Sequence, residues 1–421
     1  MIHDKEFTQY KELKELLKFN DHGIDFEKVL ALDICTLTYQ TELSLPQIFY
    51  SFFLSNSLIK PLVAGLLKPG ILVIEANTRP EFASLLKQML KDLSNYEIVP
   101  LSDHRISILP NIFLALASFA FVWKRTHKIL PLTSIIYLSS RLTYYRTIAK
   151  AIIKELENKK INCHTLVSFN CQVRLEALFT QFANNQGLKT YTLTHGMSYT
   201  SYRKFIPVDA LNGENVTANK ILVWGESNKT DLSRNFGIDP SRILTAGNPL
   251  YPLQKINVQQ SFRCAVILLG RKIYDNGNQN ILKVAAELKK QYGIEFAVRL
   301  HPSLDAQFYS QYCHKLGLSL ADSTIQLKEM LQKSEYDFAI VNNSTTYYES
   351  MYHNMICFRY EPDENDAFHG LDDKFTNASS LYDRITTFKN ADPYILNNEV
   401  KFVLEENLGM GINRYREILE N

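Results

Sequence analysis

Residues 295–303 read EFAVRLHPS, and this stretch indicates the fold class more directly than any other part of the chain. Its first six residues have the apolar composition of a strand buried on both faces, which is typical of parallel sheets. The strand ends at His301 and Pro302, because proline cannot continue a strand interior. Open α/β sheets bind ligands at the carboxyl ends of their strands, so we predict a ligand site here.

The same alternation of apolar strands and helical patterns extends through the chain and predicts βαβ units. In the second half, the further predicted strands are CAVILLG (264–270), YDFAIVNN (336–343) and MICFRYE (355–361). In the first half, they are residues 28–34, 70–76, 96–101, 164–169, 189–195 and 220–225. We therefore expect an α/β protein with two doubly wound Rossmann-like domains that face each other across a cleft, followed by a C-terminal helix.

The chain length supports two domains, since 421 residues exceed what one ordinary core accommodates. After Arg242 the alternation breaks at Gly247, Pro249 and Pro252, and a polar stretch without periodicity follows. We predict an N-terminal domain over 1–250, a linker over 251–262 and a C-terminal domain over 263–421.

Composition narrows the function classes. A formal net charge of +2 disfavours a protein that wraps nucleic acid. The six cysteines show no zinc-type spacing, and the charged N-terminus has no apolar signal core, so we expect a cytoplasmic protein with reduced thiols and no metal site. The acidic runs DEND (363–366) and LDD (371–373) are expected to be solvated loops.

One apolar segment raises the question of a membrane. NIFLALASFAFVW (111–123) is followed by KRTHK (124–128), and it is shorter than the roughly 20 residues that a spanning helix needs. Its length favours a buried helix. The alternative is a helix at the inner surface of the cytoplasmic membrane, with Trp123, Lys124, Arg125 and Lys128 at headgroup level, which would make 111–128 a peripheral membrane contact.

The residues that follow the C-terminal strands form a candidate site for an anionic nucleotide. The expected nucleotide-binding residues are Gly270, Arg271, Lys272, Arg299, His301, Pro302, Ser344, Thr345 and Glu349. Glycine permits close backbone approach, and Arg or Lys supplies positive charge. A Ser or Thr cap with the first helical turn suits a phosphate, and a carboxylate one turn later accepts hydrogen bonds from a ribose diol.

Several short motifs resemble GT-B-fold glycosyltransferases of bacterial capsule, lipopolysaccharide and teichoic acid synthesis. RLHPS (299–303) resembles the HP motif of sialyl- and Kdo-transferases, and NNSTTYYE (342–349) resembles their paired Ser/Thr motif. THGMSY (194–199), ILVWGE (221–226) and AGNP (246–249) resemble CDP-glycerol-type transferases. The resemblance covers roughly residues 166–360. It implies that His301, Pro302, Ser344 and Thr345 contact the donor nucleotide and its phosphate, with no essential metal and no cofactor.

The resemblance implies sugar transfer from a nucleotide-activated donor to a bacterial surface glycan or a lipid-linked glycan. A CMP-linked acidic sugar is favoured slightly over a UDP-sugar. The acceptor hydroxyl needs a base from the N-terminal domain, and His195 and Glu75 are the candidates because each ends a predicted strand. The alternatives are a CDP-glycerol-type glycerophosphotransferase, a nucleotide-sugar 2-epimerase and a non-catalytic protein on a degenerate transferase fold.

Overall fold

Two six-stranded parallel sheets organise the chain. The computed structural model describes residues 5–39, 52, 58–76, 80–101, 112–194, 196, 210–333, 335–342, 344–361 and 369–421. The first sheet draws its strands from residues 70–245 and the second from residues 264–375. The predicted fold class, two doubly wound α/β units, is confirmed.

The N-terminal sheet has the strand order β4-β3-β5-β6-β7-β8, with every neighbouring pair parallel. Its strands are β3 (Gly70–Glu75), β4 (Tyr96–Pro100), β5 (Cys163–Ser168), β6 (Lys189–Leu193), β7 (Lys220–Val223) and β8 (Ile243–Thr245). A two-residue hairpin precedes it, formed by β1 (Asn20–Asp21) and β2 (Ile24–Asp25). The chain reverses its direction of winding between β3 and β5, and this point is the topological switch of the sheet.

The C-terminal sheet has the order β11-β10-β9-β12-β13-β14, again parallel throughout. Its strands are β9 (Cys264–Leu268), β10 (Glu295–Arg299), β11 (Ser319–Leu320), β12 (Phe338–Val341), β13 (Ile356–Tyr360) and β14 (Lys374–Phe375). This is the strand order of dinucleotide-binding Rossmann domains, with the switch between β9 and β12. The short strands β11 and β14 were not predicted from the sequence.

Helices connect the strands and cover the sheets. In the N-terminal part they are α1 (Lys5–Leu16), α2 (Phe26–Val29), α3 (Ala31–Tyr39), α4 (Ile59–Leu67), α5 (Pro80–Leu90), α6 (Ile112–Thr126), α7 (Leu132–Leu156), α8 (Arg174–Asn185), α9 (Leu211–Glu214) and α10 (Glu226–Phe236). In the C-terminal part they are α11 (Asp275–Tyr292), α12 (Ala306–Lys315), α13 (Leu327–Gln332), α14 (Thr346–Tyr352), α15 (Ala378–Lys389), α16 (Pro393–Leu408) and α17 (Tyr415–Glu420). Left-handed glycines end α10 and α11, at Gly237 and Gly293.

The strand predicted over 28–34 is wrong, because this segment lies in helices α2 and α3. A short apolar run has the same composition in a buried helix as in a buried strand. Asp33 shows why the helix forms. Its fully buried carboxylate accepts hydrogen bonds from Tyr137 (2.7 Å) and Tyr145 (2.9 Å), both on α7.

The apolar segment 111–123 forms most of α6, but the expectation of a buried helix is only half correct. Leu114, Ser118, Val122 and Thr126 are buried, whereas Ile112 and Phe113 lie in solvent. In the part of the chain that the structure describes, no helix combines the length and the apolar character needed to cross a membrane.

The C-terminal helices return to the N-terminal sheet. The Tyr415 hydroxyl donates to the Gly247 carbonyl (2.8 Å), and Gly225 packs so closely on α16 that a Cβ would lie 2.0 Å from the Glu406 carbonyl oxygen. The segment 246–262 between β8 and β9 contains no helix or strand. The domain boundaries at 250 and 263 stay predictions.

Candidate active site

The candidate site lies where β9, β10 and β12 end side by side. Arg299 pairs with Leu268, and Leu268 pairs with Val341, so the three strands end at one level. Gly270 and His301 each follow two residues after the last paired residue of their strands. The sheet register therefore brings these predicted residues to one edge, beside the β9/β12 switch point.

Gly270 is held by its neighbours at a place where a side chain does not fit. Its N–H donates to Asn278 Oδ1 (2.9 Å), and its carbonyl accepts from Asn278 Nδ2 (3.0 Å). A Cβ at this position would lie 2.6 Å from the Asn342 carbonyl oxygen. Two strand ends thus approach each other closely through backbone atoms, which a side chain at position 270 would prevent.

A small hydrogen-bond network joins the loops after β9 and β10. The N–H (3.1 Å) and the hydroxyl (2.9 Å) of Ser303 both form hydrogen bonds with Nδ1 of His301. The same hydroxyl accepts a hydrogen bond from the Lys272 N–H (3.1 Å). Because Nδ1 is an acceptor in this network, the proton of the neutral ring sits on Nε2. Ser303 was not predicted as a site residue, although it directly follows Pro302 in the motif.

Ser344 organises the start of α14. Its Oγ accepts hydrogen bonds from the Thr346 N–H (3.3 Å) and the Thr346 hydroxyl (2.9 Å). Thr345 precedes the helix in right-handed helical conformation, and its side chain makes no capping bond. The helix cap predicted for Ser344 or Thr345 is therefore provided by Ser344.

The predicted cations have different surroundings. Arg299 Nη1 donates to the Ile325 carbonyl (2.8 Å), so this guanidinium holds the loop that follows β11. Arg271 lies over the Tyr274 ring at 5.7 Å, and Lys272 is exposed. Pro302 is exposed in the turn that presents His301.

Glu349 lies on α14, below the edge of the sheet. Burial raises the pKa of its carboxyl. Burial also raises the pKa of Tyr251 in the segment between the sheets, with a smaller contribution from Glu349. The predicted ribose contact through Glu349 stays a prediction.

A buried ion pair supports the sheet beside this site, and the sequence did not reveal it. Arg359 Nε donates to Asp373 Oδ1 at 2.7 Å, both residues are buried, and the Tyr347 hydroxyl donates to the other carboxylate oxygen. Burial raises the pKa of Asp373 to about 6, against the opposing effect of Arg359. The expectation of a solvated LDD run is wrong for Asp373 and correct for exposed Asp372, whereas DEND lies outside the described residues.

The switch point of the N-terminal sheet carries two carboxyl groups. Glu75 ends β3, and burial raises its pKa. Glu176, in the first turn of α8, accepts hydrogen bonds from the Ala76 N–H (3.1 Å) and the Asn170 N–H, which tie the ends of β3 and β5 together. Burial raises the pKa of Glu176 to about 7, with a further contribution from Glu75. Sequence reasoning missed Glu176. Of the two predicted bases, Glu75 lies at this switch point, and His195 lies outside the described residues.

His369 connects the two units, and the cavity beside it is lined by none of the predicted nucleotide-binding residues. His369 Nε2 lies 3.1 Å from Asp231 Oδ1 on α10, and its carbonyl accepts from the Tyr348 hydroxyl on α14 (2.7 Å). A cavity of about 810 Å³ opens between α10, α16 and residues 369–372. Within the described ranges, no group of three or more His, Cys, Asp or Glu side chains is placed to hold a metal ion.

No model of a known protein family matches the chain, and no curated protein matches its sequence. Solved structures with a similar arrangement include a TarM variant from S. aureus in complex with UDP, α-GlcNAc-glycerol and fondaparinux. Its sequence identity is 15% and its TM-score is 0.39, and the match covers 65% of this chain and 57% of that one. A UDP-N-acetylglucosamine 2-epimerase described for Listeria monocytogenes has 14% identity and a TM-score of 0.49, covering 84% and 95%. The wall teichoic acid polymerase TagF has 12% identity and a TM-score of 0.43, covering 86% and 91%.

These neighbours agree with the predicted resemblance to GT-B enzymes of bacterial surface polymers. The chain spans little more than half of the TarM structure, and all three TM-scores lie below 0.5. We therefore transfer no activity and no residue role from them.

Proposed function

We propose that this protein is a glycosyltransferase that moves a sugar from a nucleotide-activated donor to a bacterial surface glycan without an essential metal. The observation that carries the proposal is that β9, β10 and β12 end at one level, so that Gly270, His301 and Ser344 follow neighbouring strand ends beside the switch point of a Rossmann-type sheet. An anionic nucleotide fits this edge, because the groups gathered there are hydrogen-bond donors, a close-approach glycine and cations.

Each group has a task in the transfer. The acceptor oxygen attacks the anomeric carbon while the bond from that carbon to the phosphate oxygen breaks, and the leaving phosphate needs donors where its charge develops. His301, held through Nδ1 by Ser303, offers its Nε2–H to the phosphate. Lys272 and Arg271 add positive charge. The proton of the acceptor hydroxyl passes to a base at the N-terminal edge, for which His195 and Glu75 are the candidates.

We propose a CMP-linked acidic sugar as the donor, ahead of a UDP-sugar, because of the HP motif and the paired Ser/Thr motif. The acceptor is a glycan or a lipid-linked glycan at the inner face of the cytoplasmic membrane. A CDP-glycerol-type phosphotransferase and a 2-epimerase are the alternatives, and either would also need a site for a nucleotide. Sugar transfer, glycerol phosphate transfer and epimerisation differ in the nucleotide that is bound and in whether an acceptor is required.

The test is a thermal-shift screen of the purified protein against CMP, CDP, UDP, GDP and ADP. A nucleotide at about a hundred times its Kd stabilises the native state by about 2.7 kcal/mol, so the melting temperature rises. We expect one nucleotide to give a selective shift that His301→Ala abolishes. His314→Ala is the matched control, because His314 is an exposed histidine on α12.

The identity of the active nucleotide then names the donor class. CMP indicates an acidic sugar, UDP a hexose-type sugar and CDP a glycerol phosphate. Conversion of the corresponding nucleotide-sugar without any acceptor would establish the epimerase instead. Absence of a shift with all five nucleotides, or an equal shift in His301→Ala, would contradict the donor site.

A further inference from the structure

Helix α6 contacts the rest of the protein through a narrow stripe and leaves its opposite face in solvent. The buried residues recur at every fourth position, from Leu114 to Thr126. Every exposed residue from 112 to 123 is apolar. These residues are Ile112, Phe113, Leu116, Ala117, Ala120 and Trp123, and we call them the α6 apolar face.

The exposure of this face is too large to be incidental. Phe113 is 88% exposed, Leu116 63% and Ile112 62%, and they lie within two turns of one helix. Single exposed apolar side chains are ordinary, but a contiguous apolar patch of this kind marks an interaction surface. Ile129 and Leu132, at the turn into α7, extend the exposed apolar surface beyond the end of the helix.

The charges beside the face identify the partner. The sequence contains no Asp or Glu from His104 to Lys154, although it contains several lysines and arginines there. Lys124 follows Trp123 directly and Lys128 lies five residues after it, and neither has an ion pair within the described part of the chain. Lys124 lies four and seven positions after Ala120 and Ala117, so it continues the same helix face.

Arg125 has a different task. Its Nη1 donates to the carbonyls of Leu16 (2.8 Å) and Lys18 (3.1 Å), and its guanidinium lies over the Phe121 ring at 4.5 Å. Arg125 therefore links α6 to the C-terminal end of α1 by hydrogen bonds. The two lysines are the cations of this helix end that extend toward a partner.

We propose that the α6 apolar face, together with Lys124 and Lys128, docks this protein on the surface of a bilayer that contains anionic lipids. The apolar side chains enter the interface, Trp123 lies at its boundary, and the lysines contact the lipid phosphates. Apolar side chains on one face, an exposed tryptophan and adjacent lysines are the composition of helices that bind a membrane interface. The inference does not depend on the proposed sugar transfer.

The experiment is co-sedimentation of the full chain with vesicles of phosphatidylcholine, either alone or mixed with phosphatidylglycerol. We expect binding to the mixed vesicles that weakens as salt is raised, because the attraction of lysines to anionic lipids is screened. Phe113→Glu combined with Leu116→Glu should lower the partition at least tenfold. Phe402→Glu on α16 is the matched control, because Phe402 is also 63% exposed and lies far along the chain in another helix.

The charge contribution has its own variant. Lys124→Glu combined with Lys128→Glu should reduce binding to the mixed vesicles by at least tenfold, since each cation near an anionic surface is worth about a fivefold change in partition. Binding to phosphatidylcholine alone should change little. Trp123 adds a direct reporter, because Trp224, the second tryptophan of the chain, is buried. Its emission should shift to the blue when vesicles are added.

Three results would overturn the proposal. The first is no sedimentation with mixed vesicles, and the second is full retention of the Phe113/Leu116 double variant. The third is a concentration-dependent dimer that this double variant abolishes, with no vesicle binding, which would make the face an interface between two copies of the chain. Failure of nucleotide binding leaves all three readouts unaffected, so the two proposals are tested separately.

Discussion

The two sheets share one architecture but differ in what they place at their switch points. Between β9 and β12 the C-terminal sheet presents Gly270, and the neighbouring loops add His301 and Ser344. Between β3 and β5 the N-terminal sheet presents two carboxyl groups, Glu75 and Glu176, whose pKa values are raised by burial.

The difference teaches that two sheets of one architecture can offer different chemical groups at their strand ends. Hydrogen-bond donors and cations at the edge of the C-terminal sheet are suited to binding an anion. Carboxyl groups with raised pKa values at the edge of the N-terminal sheet are suited to accepting a proton from a hydroxyl. The treatment of buried charge differs too. Asp373 is paired with Arg359, while Glu176 is bound by backbone N–H groups and pairs with no cation among the residues that the structure describes.

The largest expected effect comes from breaking the buried pair of the C-terminal sheet. Arg359→Met should lower the free energy of unfolding by about 3–5 kcal/mol, because the buried Asp373 loses its cationic partner and must either stay charged without it or take up a proton. The measurement is urea denaturation of the two proteins at pH 7.

Arg384→Met is the matched control, since Arg384 pairs with the adjacent Asp372 at the surface. An exposed pair contributes less than about 1 kcal/mol. Equal losses in the two variants would show that the Arg359–Asp373 pair does not stabilise the sheet more than a surface contact does.

The next effect concerns the pH dependence that Glu176 gives to the N-terminal sheet. The folded-state pKa of about 7 lies above the ordinary value of 4.5, so the folded protein holds this proton more tightly than the unfolded chain does. The resulting stability is complete below pH 4.5 and is lost as pH rises through 7. By this linkage the loss amounts to about 3 kcal/mol.

Glu176→Gln should remove that decline. The measurement is the free energy of unfolding between about pH 4.5 and 7.5, where the wild type should lose stability relative to the variant. Glu417→Gln is a control of opposite sign, because the hydrogen bond from Arg414 lowers the pKa of Glu417. Parallel curves for the wild type and Glu176→Gln would mean that Glu176 ionises as an ordinary glutamate.

The smallest expected effect concerns the hydrogen bonds that orient His301 at the edge of the C-terminal sheet. Ser303→Ala removes the hydroxyl between His301 and the Lys272 N–H. One hydrogen bond contributes about 0.5–1.5 kcal/mol, so nucleotide affinity should fall by about threefold to tenfold while the melting temperature of the free protein stays nearly constant. Calorimetric titration with the nucleotide found in the screen measures the affinity.

The control is Ser319→Ala on β11. Ser319 also donates one hydrogen bond, to the Phe296 carbonyl (2.9 Å), but it lies away from the strand ends. An unchanged affinity in Ser303→Ala, or an equal loss in Ser319→Ala, would show that Ser303 does not orient His301 for the ligand.

Much of the fold was predictable because its signals are local. The strands that end near His301, Gly270 and Ser344 were found from runs of apolar residues, and their common edge follows from the parallel order of βαβ units. Residues 28–34 show the limit of this reasoning. This seven-residue segment, KVLALDI, is mostly apolar and fits a strand or a buried helix equally well, and contacts with α7 settle the choice.

By itself, the sequence determined the two α/β units and which side chains follow the ends of β9, β10 and β12, because periodicity and strand ends are encoded by neighbouring residues. Only the tertiary structure decided which charges are buried together and which apolar face stays in solvent. Ala76 and Glu176 are 100 positions apart, and no local pattern links them. The exposure of α6 likewise depends on what packs against it, since an apolar helix has the same composition whether it is covered by protein or faces a partner.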